Sequence, residues 1–388
     1  MKKIFLLAAM GCWMLASAAT PSSRLDSLIR YDKNYEPNTR EVYTYDGRGN
    51  RTVLKYDTWD SSNEVWANFS KTNFTFNARN LLEEQIIQSW NSSLSEWVAT
   101  NKMTYTYNEQ GYVSESVNYS RDGNTWRPSY KYLYTYNAKG QQLSSTFMMY
   151  KAENWENKTL IEYTYDDAGN QTLYVNYAWE DGNWKNRSKS ESTFNSQNQM
   201  LTNTSYNWIS SDWELTNMIE CTYENGRLTE RLEKTPEDGV LIASSKNTYS
   251  YDARGNIVEE IISRYSTLAA GLVNFSRTTR MFDEQDRKTN EVMYTWRSEG
   301  DGGWEYLSQR DIYIEDGGRE ISEYYWLWNA SASDWDLQNL AKSYYTLTTG
   351  IINPNSEGVA VGQKMVRDGQ LYIRRGDEIF DVKGAKVE

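Results

Sequence analysis

The polar and apolar positions of this chain follow one short pattern over and over. An aromatic residue, a Thr and a second aromatic precede Asp or Asn in Tyr43-Thr44-Tyr45-Asp46, Tyr105-Thr106-Tyr107-Asn108, Tyr134-Thr135-Tyr136-Asn137 and Tyr163-Thr164-Tyr165-Asp166. Looser copies lie at Phe74–Asn77, Ser192–Asn195, Cys221–Glu224, Tyr249–Asp252, Arg280–Asp283 and Ile312–Glu315. With the second aromatic as marker, the copies fall at 45, 76, 107, 136, 165, 194, 223, 251, 282 and (as Ile) 314. A spacing near thirty residues held over ten units is a repeat architecture. Alternation with period two in β-favouring residues predicts a strand with an aromatic face and a Thr face. Four residues past each marker stands Gly49, Asn80, Gly111, Gly140, Gly169, Asn198, Gly255, Asp286 or Gly318, and the shorter seventh copy has Gly226. These residue types tolerate the left-handed region, so a type I turn closing a hairpin through a bulge is predicted at each site.

A second strand leads to an aromatic fourteen residues past the marker, among them Trp59, Trp90, Trp179 and Trp208; Arg121 and Glu237 are the exceptions. After a polar loop, a further Trp (Trp66, Trp97, Trp184, Trp213 and others) opens the next strand. The two rings are expected to clasp across the wider turn as a cross-strand pair. One hairpin cannot offset its own ordering entropy, so neighbours must stack. The expected fold is all-β: about ten hairpin repeats in one long antiparallel meander, coiled into a spiral or elongated solenoid-like sheet. A β-propeller with two repeats per blade is the alternative.

The ends differ from the middle. Lys2 and Lys3, the apolar run Ile4 to Leu15 and Ala16-Ser17-Ala18 form a signal peptide over 1–18, with cleavage between Ala18 and Ala19. Gly11-Cys12 offers a lipid anchor as the alternative. The repeat domain is placed at 19–347, a Gly/Asn/Ser-rich linker at 348–362, and a short β-rich tail at 363–388, with Gly369, Gly376 and Gly384 as its turns. No apolar stretch after residue 18 approaches the roughly 20 residues of a membrane-spanning helix. Export to the cell surface or medium is expected; periplasmic retention is the alternative.

Composition narrows the chemistry. Of 388 residues, 31 are Tyr and 16 Trp, which suits half-buried surfaces better than an aliphatic core. The net charge of −12, without a basic stripe, excludes nucleic acid as an expected partner. There is no His, which removes His-based hydrolysis, and no phosphate loop or dinucleotide fingerprint occurs. No catalytic residue, cofactor or metal ligand is assigned, although a carboxylate pair acting on glycosides needs no His. Cys221 is the single cysteine past the signal and falls on an aromatic position, hence a core filler.

The stretches Tyr45–Asn50, Tyr165–Asn170 and Tyr251–Asn256 resemble the YD repeats of rearrangement-hotspot and teneurin proteins, in which hairpins coil into a β shell. The likeness covers about residues 41 to 346, and the Trp pair is an addition to it. The tail Gln363–Gly376 with Ile379–Gly384 resembles C-terminal sorting tails of secreted Bacteroidetes proteins, which implies an export machinery as partner; a β cap is the other reading. Function is expected to be non-catalytic surface interaction, by adhesion or by glycan or protein binding. Trp59, Trp66, Trp90, Trp97, Trp179, Trp184, Trp208 and Trp213 are the candidate contacts. A structural envelope scaffold is the alternative. Departures from the pattern, such as Arg121 and the Trp-less seventh repeat, mark where a site would break regularity.

Overall fold

A computed structural model describes residues 23–298, 302–315, 320–347, 363–367, 370–375 and 378–381. Two compact units are distinguished, residues 25–346 and the two chain ends. In the first, twenty-two strands run from β1 (Ser23–Asp32) and β2 (Pro37–Tyr45) to β22 (Asp334–Leu347), every one antiparallel to its neighbours in sequence. The all-β hairpin meander anticipated from the repeat is therefore present.

The tight turn at Asp46 shows why Asp or Asn follows the marker in eight of the repeats. The Asp46 carboxylate accepts hydrogen bonds from the backbone N–H of Arg48 and Asn50 at 2.9 and 2.8 Å, fixing the loop from its own side chain. Gly49 then adopts φ +87°, while Asn80, Asn198 and Asp286 take the same left-handed role at φ 64°, 61° and 59°. Gly140 has a second reason to lack a side chain, because the Tyr112 hydroxyl lies across its α-carbon. The short seventh turn instead places Asn225 and Gly226 at φ 51° and 76°, a two-residue hairpin loop. Gly318 lies outside the described residues.

The open spiral, the elongated solenoid and the propeller do not form. Strand β1 pairs with β2 on one side and with β22 on the other, so the sheet closes into a 22-stranded barrel. Side chains join the seam as well, where Thr346 Oγ1 donates to the Asp26 carboxylate. The reason is register. Tyr105, Ser116, Tyr132, Phe147 and Thr159 lie opposite one another in a single row. Tyr105 stands two residues before its marker Tyr107, Tyr132 four before Tyr136, and Thr159 six before Tyr165. Each hairpin thus slips two residues, which tilts the strands and lets the last meet the first. Closure also removes the unpaired edges that an open sheet would expose. The closing strand Ser23–Asp32 carries no copy of the motif and precedes the ten recognised units.

The sheet has little conventional core. Among the described residues only Val117, Leu340 and Cys221 are buried hydrophobic side chains, which bears out the filler role of Cys221. Most residues on both faces are half-buried, covered by lateral neighbours on the same face. In the other unit, β23 (Gln363–Arg367), β24 (Gln370–Arg375) and β25 (Glu378–Asp381) form a separate antiparallel sheet. The signal segment with Ala18 and Ala19, the linker and the three tail glycines lie outside the described residues.

Candidate interaction surfaces

The Trp clasps form as the sequence suggests. Trp59 is opposite Trp66, Trp90 opposite Trp97, Trp179 opposite Trp184 and Trp208 opposite Trp213, with centroids 5.1, 5.1, 4.8 and 4.9 Å apart and rings edge to face. Tyr150–Trp155, Trp296–Trp304 and Trp328–Trp335 repeat the geometry at 5.1, 5.0 and 5.1 Å. Arg121 replaces one ring and lies over Trp126 at 5.4 Å. All eight candidate contact rings are half-buried, in four separate pairs rather than one site.

Parity along the strand would put Trp97 and Tyr105 on one face. A bulge separates them. In β5 (Leu82–Asn91) and β6 (Glu96–Tyr107), Gln88 pairs with Ala99 and Ile87 with Asn101, so Thr100 is extra. The remainder of β6 is flipped. The same shift recurs in every wide-turn hairpin from Trp59/Trp66 to Trp328/Trp335. The barrel wall consequently has a Trp face and a Tyr face.

On the Trp face a cation stands five residues before seven of the ten markers: Arg40, Lys71, Lys102, Lys131, Lys189, Lys246 and Arg277. Five of them reach the ring of the following hairpin: Arg40 over Trp66 at 4.7 Å, Lys71 over Trp97 at 4.9 Å, Lys102 over Trp126 at 5.5 Å, Lys131 over Trp155 at 4.9 Å and Lys189 over Trp213 at 5.2 Å. Each such contact is worth about 0.5–1 kcal/mol where exposed. Acids complete the strip. Fully buried Asp57 lies 2.6 Å from Arg40 and 3.0 Å from Lys55, and Glu115 lies 3.1 Å from Lys131. The recurring cation was available in the sequence and is the signal that periodicity in aromatics alone passes over. One side of several Trp rings is thereby occupied within the chain.

On the Tyr face the rings are packed laterally. Tyr132 lies 5.0 Å from Phe147 and 6.1 Å from both Tyr130 and Tyr134, and Tyr163 lies 5.8 Å from Tyr174. Burial pushes the phenols of Tyr105, Tyr132, Tyr163 and Tyr174 above their ordinary value. The marker hydroxyls donate across to the preceding hairpin: Tyr45 to Leu25 O at 2.7 Å, Tyr136 to Val113 O and Tyr165 to Gln142 O at 2.9 Å, Tyr251 to Leu228 O at 2.7 Å. The tight turns are further latched to one another. Asn50 donates to Asn80 at 2.6 Å, Gln141 to Gly169 O at 3.0 Å, Asn170 to Asn198 at 3.1 Å and Asn256 to Asp286 at 2.9 Å. Among the described residues no cluster of three or more acids or cysteines is arranged to hold a metal ion.

No protein-family model matches the chain, and no curated protein matches it. Solved structures of low similarity include a protein of unknown function from Bacteroides fragilis, 12% identical over 31% of this chain and 88% of its own, TM-score 0.28. A porin-like protein from Bacteroides uniformis is 14% identical over 67% of this chain and 96% of its own, TM-score 0.28. The TcdB2–TccC3–Cdc42 structure is 12% identical over 91% of this chain and 20% of its own, TM-score 0.30.

Proposed function

We propose that this is an exported, non-catalytic protein that acts by surface contact, with glycans or other surface proteins as partners. The observation that carries the reading is a closed wall whose two faces both stay part-exposed while aromatic rings are held on them in fixed positions. Rigid Tyr and Trp present large amphipathic contact area at low entropic cost on binding. Charged pairs stand within the strands on both faces, such as Lys131–Glu115 among the Trp pairs and Arg280–Glu291 on the Tyr face. Ion pairs of this kind on both faces favour a water-surrounded wall over one that faces lipid. Export rests on the signal segment 1–18, and sorting through the tail on the resemblance of residues 363–388. Kinship with YD-repeat shells rests on the Asp-x-x-Gly-Asn turns.

The scaffold reading has one observation in its favour, the lysines and arginines that already occupy Trp faces. Fractionation of the native host, with mass spectrometry of both termini and capture on glycan and surface-protein arrays, tests the proposal. A start at Ala19, a surface location and a captured partner are expected. A cytoplasmic protein with an intact N-terminus would refute it.

A further inference from the structure

The middle residue of the motif lies on the Trp face close to the tight turns. It is a hydroxyl residue in eight successive repeats, from Thr44 to Ser250. In the last two repeats it becomes Met281 and Tyr313, 66% and 53% exposed. The site is exposed in all ten repeats, so burial in the sheet calls for neither the Met nor the ring. The backbone departs from the pattern at the same place. The ladder between β20 (Gly303–Glu315) and β21 (Glu320–Asn329) has no register shift, whereas every other tight-turn ladder has one immediately before its marker.

Beside these departures lies a shallow groove of about 320 Å3 lined by Asp283, Arg287, Thr289, Asp311, Ile312, Tyr313 and Ile314. That volume lies at the small end of ligand sites, which run from about 300 Å3 upward. Its polar groups are positioned in advance. Asp311 accepts from Asn290 at 2.8 Å and from Gln309 at 2.9 Å on each oxygen, leaving acceptor capacity on Oδ2. Arg287 is held along one wall by Asp283 at 2.7 Å and Gln285 at 3.1 Å. Tyr313 packs perpendicular to Tyr324, centroids 5.5 Å apart, and more than half of it stays exposed.

We infer that this groove binds a neutral sugar unit of an oligosaccharide. An exposed aromatic face takes the C–H side of a pyranose ring, and a held carboxylate with an adjacent guanidinium takes its hydroxyl rim. Two carboxylates in the lining disfavour an acidic sugar. The inference deepens the glycan branch of the proposed function and rests on it.

The test is calorimetry of the full mature chain with neutral malto-, cello- and manno-hexasaccharides, comparing wild type with Tyr313→Thr, Tyr313→Phe and Asp311→Asn. Tyr313→Thr restores the residue that other repeats carry, so its melting temperature should not change. Expected are binding by wild type, a loss of about tenfold or more in affinity for Tyr313→Thr and Asp311→Asn, and retention by Tyr313→Phe. Equal binding by wild type and Tyr313→Thr would overturn the groove and leave the glycan reading standing. No binding by wild type to these probes, with capture of other glycans on an array, would overturn the neutral-sugar assignment. Failure on every glycan and protein array would remove the proposed function as well.

Discussion

Two stretches of the Tyr face occupy equivalent backbone positions with opposite chemistry. Across β8 (Thr125–Tyr136) to β11 (Gln171–Glu180) the rows hold Tyr130, Tyr132, Tyr134, Phe147, Tyr163 and Tyr174. From β17 (Ile257–Ser266) to β21 the same rows hold Glu260, Arg280, Glu291, Arg310 and Glu323. There Arg280 lies 3.0 Å from Glu291 and 3.3 Å from Glu260, and Arg310 3.4 Å from Glu323. The antiparallel hairpins and the bulge of each wide-turn ladder are common to both stretches. What a half-exposed wall demands is that each row be complementary within itself, ring to ring or charge to charge. It does not demand a hydrophobic interior.

The largest effect that separates the two stretches should come from truncation in the aromatic one. Tyr132→Ala removes a half-buried ring with three ring neighbours and should cost about 3 kcal/mol, unchanged by salt. Arg280→Ala leaves two part-buried carboxylates facing each other and should cost about 2 kcal/mol, less in 1 M NaCl. Urea unfolding at two ionic strengths measures both. Equal salt dependence would erase the distinction.

Alkaline pH sharpens it from another side. In the aromatic stretch the phenols of Tyr132, Tyr136, Tyr163, Tyr165 and Tyr174 are all raised from 10.0, with burial the first cause. The unfolded chain therefore releases these protons first. Stability is complete below pH 10 and falls as pH rises through and beyond it. Melting temperature should drop steeply above pH 10, and limited proteolysis should cut within 125–180 before 257–329. The reverse order would show that the ion pairs, not the rings, are the weaker rows.

A smaller effect belongs to a turn at the edge of the aromatic stretch. Ala152 and Glu153 both sit at positive φ, 46° and 64°, where neither residue is at ease. Replacing them together by Asn and Gly should stabilise the protein by about 1 kcal/mol. No gain in the urea midpoint would mean that neighbouring strands, not the loop, set that hairpin. The smallest change is on the acid side. Hydrogen bonding from Asn170 holds the Asp166 carboxyl below its ordinary value, so its contribution is present above pH 4 and lost as pH falls through that range. Asp166→Asn, the residue already used at Asn137 and Asn195, should flatten the acid dependence of that turn in hydrogen exchange.

Much of this wall is legible in the residues, and the illegible part has a physical cause. Asp46, Gly49 and their counterparts act within five residues of one another, so turn chemistry reports directly on turn geometry. The Trp clasp is equally local, spanning one loop. Closure is not local. It is the sum of ten small slips, each the difference between a longer strand such as Glu96–Tyr107 and a shorter one such as Val113–Asp122, which no single residue type marks. The strand Ser23–Asp32 was hidden for a related reason, because its role is to pair at both edges rather than to repeat. The candidate contacts were visible as Trp, but their occupied faces were not, since the cation comes from the neighbouring hairpin.

The seam between β1 and β22 makes the order of hairpins cyclic. With every strand bonded to its two sequence neighbours and the last bonded to the first, the barrel has no intrinsic beginning. Asp26 and Thr346 touch, so a short peptide could join the ends and any wide loop could be cut to make new ones. Emergence from the ribosome, by contrast, runs from β1 onward, and ring closure must wait for the final strand.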